Sequence, residues 1–185
     1  MALSASEALA RLKAGNERFV ALERNEGDVG QQRRVQLATE GQQPYAVVIA
    51  CSDSRVVPEH LFNCGLGELF TIRTAGNTVG ASETGSVVYA CGHLGCRLVV
   101  LMGHTCCGAV EATLEGGDHG AANVLTDAIA AAIGDERDPY RASVLNVEAG
   151  LTALAAEPGL AALLDDGLVL QGAIHHIDSG RVEFL

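Results

Sequence analysis

The chain has 185 residues, 48% of them apolar, and a formal charge of −11 at pH 7. That length suits one domain with a sizeable core, and the acidic balance argues against a nucleic acid or an anionic membrane as partner, since either needs a basic patch. No apolar run approaches the roughly 20 residues of a membrane span, and the N-terminus lacks the features of a signal peptide, so a cytoplasmic protein is expected, its six cysteines serving as thiols or metal ligands rather than disulfides.

In chain order, residues 4–24 carry Leu9, Leu12, Phe19, Val20 and Leu22 among charged residues, an amphipathic helix with Ser4 or Ser6 as N-cap. A weaker helix over 31–40 carries Val35 and Leu37. Residues 1–40 then read as a helical arm, laid across a neighbouring subunit or packed on its own domain, ahead of an α/β core over 45–185. Residues 45–50 form a buried strand that opens into Cys51-Ser52-Asp53-Ser54-Arg55. Pro58 starts a short helix where its missing N–H costs nothing. Residues 69–73 are a second strand, ending in Thr74-Ala75-Gly76-Asn77. A helix over 82–94 turns Val87, Val88, Ala90, Cys91 and Leu94 inward, and a third strand over 97–102 runs into Gly103-His104-Thr105-Cys106-Cys107-Gly108. Helices follow over 109–114, 121–133 and 141–156. A last strand, 168–174, turns through Asp178-Ser179-Gly180 into 181–185, a hairpin at the sheet edge. The alternation predicts an α/β fold: a mostly parallel β-sheet flanked by helices, with an antiparallel edge strand at the C-terminus.

Two of these strand ends carry soft metal ligands, and in an open α/β sheet ligands bind at the C-terminal strand edge. A thiolate from Cys51, the imidazole of His104 and a thiolate from Cys106 or Cys107 leave one position of a tetrahedral zinc free, as a catalytic site needs. Each residue alone has a plainer reading, as a small buried thiol or a hydrogen-bonded imidazole; their recurrence at matching strand ends favours the metal. Cys91, His93 and Cys96 read instead as helix core and helix end, Cys64 as a loop thiol and His119 as solvated. Asp53 can accept a hydrogen bond from zinc-bound water while Arg55 holds its carboxylate bidentately. Alternatively, Asp53 itself takes the fourth zinc position and shuts the site.

The two motifs, Cys51-x-Asp53-x-Arg55 and His104-x-x-Cys107-Gly108, resemble those of the β-class carbonic anhydrases. The likeness continues through 65–70, 72–77, 85–90 and the Gly-Ala-Ile…Gly-Arg-Val ending. It implies one zinc ion per subunit on Cys51, His104 and Cys107, with Cys107 preferred to Cys106, and Asp53 and Arg55 as the catalytic dyad. It implies hydration of carbon dioxide to bicarbonate by a zinc-bound hydroxide, in a pocket lined by Gln42, Phe70, Tyr89 and Gly108. It also implies a homodimer or dimer of dimers, the N-terminal helix crossing to the partner.

The chain departs from the family in places. Cys106 stands where a polar or small residue is usual. Of the Trp, Arg and Tyr that bind regulatory bicarbonate in one branch, only the Arg matches, as Arg73; Val48 and His175 stand at the other positions, so no bicarbonate switch is expected. His175 and His176 read as polar residues of an edge strand ahead of a proton-transfer role, and the 119–139 segment is short. Two other functions compete: hydrolysis of carbonyl sulfide or carbon disulfide at the same site, and a non-catalytic zinc-holding or redox-sensing module built on Cys106 and Cys107. The Asp53–Arg55 dyad argues against the module, which has no use for it.

Overall fold

A computed structural model describes residues 3–21 and 24–185; Leu22, expected in the first helix, lies outside them. Five strands form one sheet: β1 (Ala46–Cys51), β2 (Leu69–Thr74), β3 (Leu98–His104), β4 (Val169–His175) and β5 (Val182–Phe184), in the order β2-β1-β3-β4-β5. The first four are parallel and β5 runs antiparallel to β4, as the strand–helix alternation predicts.

Helices cover both faces of the central strands. Val48, Ala50, Val100 and Met102 pack towards α1 (Ala5–Val20) and α3 (Pro58–Leu61). Val47, Ile49, Val99 and Leu101 pack towards α4 (Ala81–His93), α7 (Pro139–Ala155) and α8 (Pro158–Asp165). A strand covered on both faces has no polar side to show, which is why β1 and β3 read as unbroken apolar runs. Helices α5 (Gly108–Glu115) and α6 (Asn123–Ile133) close over the C-terminal strand ends and share a cluster with Cys51 and Cys107. Helix α2 (Gln31–Glu40) buries no residue of its own and meets the domain through Leu37 at Gly67. Among the described residues no single helix is long and apolar enough to cross a membrane.

The first helix starts at Ser4, not Ser6: the Ser4 hydroxyl accepts from the Glu7 N–H while the Glu7 carboxylate accepts from the Ser4 N–H, a reciprocal cap. Of the two placements open to it, α1 lies on its own sheet, with Ala8 and Leu12 fully buried. It approaches so closely that a Cβ on Gly15 would fall 2.0 Å from the Phe62 carbonyl oxygen. Buried Asn16 fastens it further. Its Nδ2 donates to the carbonyls of Leu61 (3.1 Å) and Gly180 (2.9 Å), and its Oδ1 accepts from the Val182 N–H (2.8 Å).

Helix boundaries shift by a few residues from the sequence reading, and one helix is new. Helix α7 begins two residues early because Asp138 caps it, accepting from the Arg141 N–H at 2.7 Å with Pro139 in the first turn. The additional helix, α8, starts directly at Pro158 with Glu157 as its cap. Asn16→Ala strands one backbone N–H and two carbonyls in the interior, so it is expected to lower the unfolding free energy by about 2–4 kcal/mol, read from urea denaturation.

Candidate metal centre

Strand β1 has β2 on one side and β3 on the other, so the chain's crossovers leave in opposite directions from the gap between β1 and β3. That gap is where an open α/β sheet forms a crevice at its carboxyl ends. The register pairs Ala50 with Met102, which sets Cys51 and His104 at adjoining strand ends although 53 residues separate them. The third residue comes from the turn into α5. Cys106 takes a left-handed conformation (φ 55°), costly for a side chain with a Cβ, and Cys107 follows as the N-cap of α5.

Cys51, His104 and Cys107 place their ligand atoms within 4.8 Å of one another, and the three side chains are 5%, 0% and 3% exposed. Exposed Cys106 is outside the group. The Nδ1 of His104 faces the Thr105 carbonyl oxygen at 2.9 Å; a carbonyl only accepts, so Nδ1 carries the proton and Nε2 presents its lone pair. Nε2 is buried with no hydrogen-bond partner, a cost the fold would not carry without something to occupy it. A metal ion meets that need. Two thiolates and one imidazole with no fourth protein ligand among the described residues suit a catalytic zinc rather than a structural one.

The two thiols are pushed in opposite directions. The hydrogen bond from Cys107 draws the Cys51 pKa down to about 3 against the effect of burial, helped by His104 and by the N–H groups of Asp53 (3.4 Å) and Gly76 (3.2 Å). The same bond, together with burial, pushes Cys107 up. Burial works against His104's charge, but the Cys51 sulfur close by and the Thr105 carbonyl leave its pKa above the usual value. Gly76 reaches the sulfur from a left-handed backbone (φ 68°), and its carbonyl accepts from Asn146 Nδ2 of α7 at 2.8 Å.

Asp53 is held by Arg55. The guanidinium donates to both carboxylate oxygens (2.9 and 2.7 Å), and the Arg55 backbone N–H adds a third bond at 2.9 Å. The Arg55 side-chain bonds keep this carboxyl well below the usual range despite partial desolvation. Arg55 also donates to the Cys106 carbonyl at 2.9 Å, tying the two strand ends together. Of the two roles open to Asp53, the structure has it turned to Arg55 and outside the ligand cluster.

The expected pocket residues divide. Gly108 opens α5 beside Cys107. Phe70 does not reach the cluster: it pairs with Val47, four residues before Cys51, or about 13 Å along the strand. The Tyr89 ring stays with Phe70 (6.2 Å) and His93 (5.3 Å), and Gln42 is exposed ahead of β1, at its far end. One chain therefore does not assemble Gln42, Phe70 and Tyr89 with the Cys51–His104–Cys107 cluster.

Several histidine and cysteine readings change as well. His175 is not on an edge: β4 is flanked by β3 and β5, and His175 is 2% exposed beside His104. Burial, then the neighbouring His104 and His176, push its pKa down to about 4. His176 stays half-buried against Glu183 at 3.0 Å, with the Tyr140 ring stacked at 6.0 Å. His119 is not solvated but half-buried, its Nε2 enclosed without a partner among the described residues. Cys64 sits in a loop but is buried, hydrogen-bonded to the Tyr45 hydroxyl at 3.1 Å. Burial pushes Cys64 and Cys96 up to about 11 and Cys91 up to about 12, which leaves them inert thiols.

Residues 46–182 match the carbonic anhydrase family model, and all three cluster residues fall inside that span. A carbonic anhydrase of Mycolicibacterium smegmatis is 48% identical over 109 residues, 59% of this chain and 52% of that protein. One of Pseudomonas aeruginosa is 39% identical over 165 residues, 78% of this chain and 74% of that protein. The chain thus spans about half the length of the mycobacterial relatives it matches (52% and 49%). Among solved structures, a tetrameric β-carbonic anhydrase of Sordaria macrospora superimposes with TM-score 0.74 at 26% identity, covering 97% of this chain and 95% of its own. The β-carbonic anhydrase CafA of Aspergillus fumigatus gives 0.75 at 28%, covering 97% and 89%.

Cys107→Ser is expected to lose bound zinc and Cys106→Ser to retain one ion per chain, measured by elemental analysis after dialysis. The reverse result would assign the third ligand to Cys106.

Proposed function

The chain belongs to the carbonic anhydrase family, and we propose that it is a β-class enzyme hydrating carbon dioxide reversibly to bicarbonate and a proton, with one zinc ion held by Cys51, His104 and Cys107. The observation that carries the reading is the buried Cys–His–Cys triple with an unpartnered imidazole nitrogen. Zinc bound there supplies Lewis acidity that makes a water molecule a better nucleophile at neutral pH. Two anionic sulfurs offset the ion's charge, so this set acidifies water less than three neutral imidazoles do, and the surrounding residues matter more.

Asp53 is the residue placed to help. Its carboxylate accepts a hydrogen bond from the reacting water and orients it, while Arg55 keeps that carboxylate ionised and aimed. Val110 and Ile129, both buried beside Cys51 and Cys107, give the crevice an apolar wall suited to a small, linear, uncharged substrate. The pocket residues that one chain leaves far from the metal are read as supplied by a second copy, in a homodimer or dimer of dimers. The free edge of β2 supports this: it carries unpaired backbone groups, and Leu66, just ahead of the strand, and Tyr89, against its Phe70, are exposed. The Sordaria macrospora proteins are themselves described as tetrameric. Six free thiols support a reducing, cytoplasmic location.

The test is stopped-flow carbon dioxide hydration at pH about 7 and about 8.5, with zinc quantified in the same sample. A carboxyl whose folded pKa lies below its ordinary value of about 3.9 stays ionised at both pH values, and its pairing with Arg55 is lost only as pH falls through the lowered value. Activity at both is therefore expected. Asp53→Asn should keep the zinc and slow hydration by about a hundredfold or more. One zinc per chain without hydration at either pH would move the assignment to carbonyl sulfide or carbon disulfide hydrolysis, or to redox sensing.

A further inference from the structure

Arg73 is the penultimate residue of β2, beside Ala50, and is exposed. An exposed arginine on an edge strand ordinarily leaves its guanidinium in water. This one is turned onto the neighbouring strand end: Nε donates to the Cys51 carbonyl at 3.1 Å and Nη2 to the Asp53 carbonyl at 2.7 Å. Those carbonyls belong to the peptides on either side of the 52–53 peptide, whose own N–H, on Asp53, donates to Cys51 Sγ at 3.4 Å. The strand ladder ends one residue earlier, where the Ser52 N–H meets the Thr74 carbonyl at 3.0 Å. Beyond that point the turn's one backbone–backbone bond is that of the Val56 N–H to the Asp53 carbonyl (2.9 Å).

We propose that Arg73 is a positioning residue of the metal centre, its guanidinium clamping the Cys51–Asp53 turn and so setting both the N–H donor on the Cys51 sulfur and the direction of the Asp53 carboxylate. A planar fork with donors at fixed spacing suits two carbonyls two residues apart, and a single ammonium does not. By resemblance Arg73 matches an anion-binding arginine, but here both donating groups are committed to the chain's own carbonyls, and Val48 and His175, at the other two positions, are buried at 0% and 2% exposure. The consequence for the metal rests on the zinc reading; the clamp itself is a property of the polypeptide.

Arg73→Met on the full chain as purified tests it. Amide exchange at Asp53 is expected to speed up about tenfold while Ile49 and Leu101, deep in the strands, exchange as before. Chelator competition should show zinc held about ten- to a hundredfold more weakly. In cobalt-substituted protein the sulfur-to-cobalt charge-transfer band should move to lower energy, because a thiolate that loses an N–H donor gives up its electrons more readily. Arg73→Lys, which keeps the charge and loses the fork, should behave as the Met variant does, and it decides alone if the Met variant fails to fold. Unchanged Asp53 exchange in Arg73→Met overturns the proposal, as does wild-type exchange and zinc affinity in Arg73→Lys. Wild-type protein that takes up no zinc overturns the functional reading, while the exchange measurement still decides the clamp.

Discussion

The parallel pairing of β1 with β3 is the constraint on which the site depends. Parallel neighbours end on the same side of the sheet, so both C-termini empty into one crevice, and the order β2-β1-β3 sends the following connections to opposite sides of it. The ladder between Val47–Ala50 and Val99–Met102 fixes the height at which each strand ends. A one-residue slip would turn Cys51 and His104 to the wrong faces. Everything else at the centre is local adjustment around that pairing: the left-handed Cys106 that brings Cys107 in, and the left-handed Gly76 that brings an N–H to the Cys51 sulfur.

The same constraint explains what could be read from the sequence. Strands buried on both faces announce themselves as apolar runs, and a cysteine or histidine directly after such a run is already at the crevice. That is why Cys51, His104 and the Asp53–Arg55 pair were legible. The third member of the cluster was not decided by spacing, because Cys106 and Cys107 are adjacent and only the backbone turn separates an exposed thiol from a buried one. His175 was misplaced because two consecutive histidines look solvated, whereas β4 gains β5 as a neighbour and encloses the first of them. Helix α8 was missed since only one residue, Glu157, lies between it and the C-cap of α7. Asn146 carries no local signal at all: its contact with the Gly76 carbonyl spans 70 residues.

Charge is distributed to match the reading. The chain is acidic as a whole, yet charge in the crevice is met locally, with Arg55 paired to Asp53 and Cys51 favoured over Cys107 for ionisation. A metal ion needs thiolates and a neutral imidazole as ligands, so on the proposed reading its binding would be coupled to proton release. On the proposed reading, an uncharged substrate and a small anionic product would face a site whose field is set by a few fixed groups rather than by the protein's net charge.

Arg73 connects this centre to the outside. It stands on β2, the strand with a free edge, and reaches across to the turn that carries Cys51 and Asp53. The edge on which a second copy is proposed to dock thus carries the residue that hydrogen-bonds the turn presenting Cys51 and Asp53. Were a second copy to dock along β2, it would therefore bear on the strand whose Arg73 holds the turn that keeps Asp53 on Arg55 and the Asp53 N–H on sulfur.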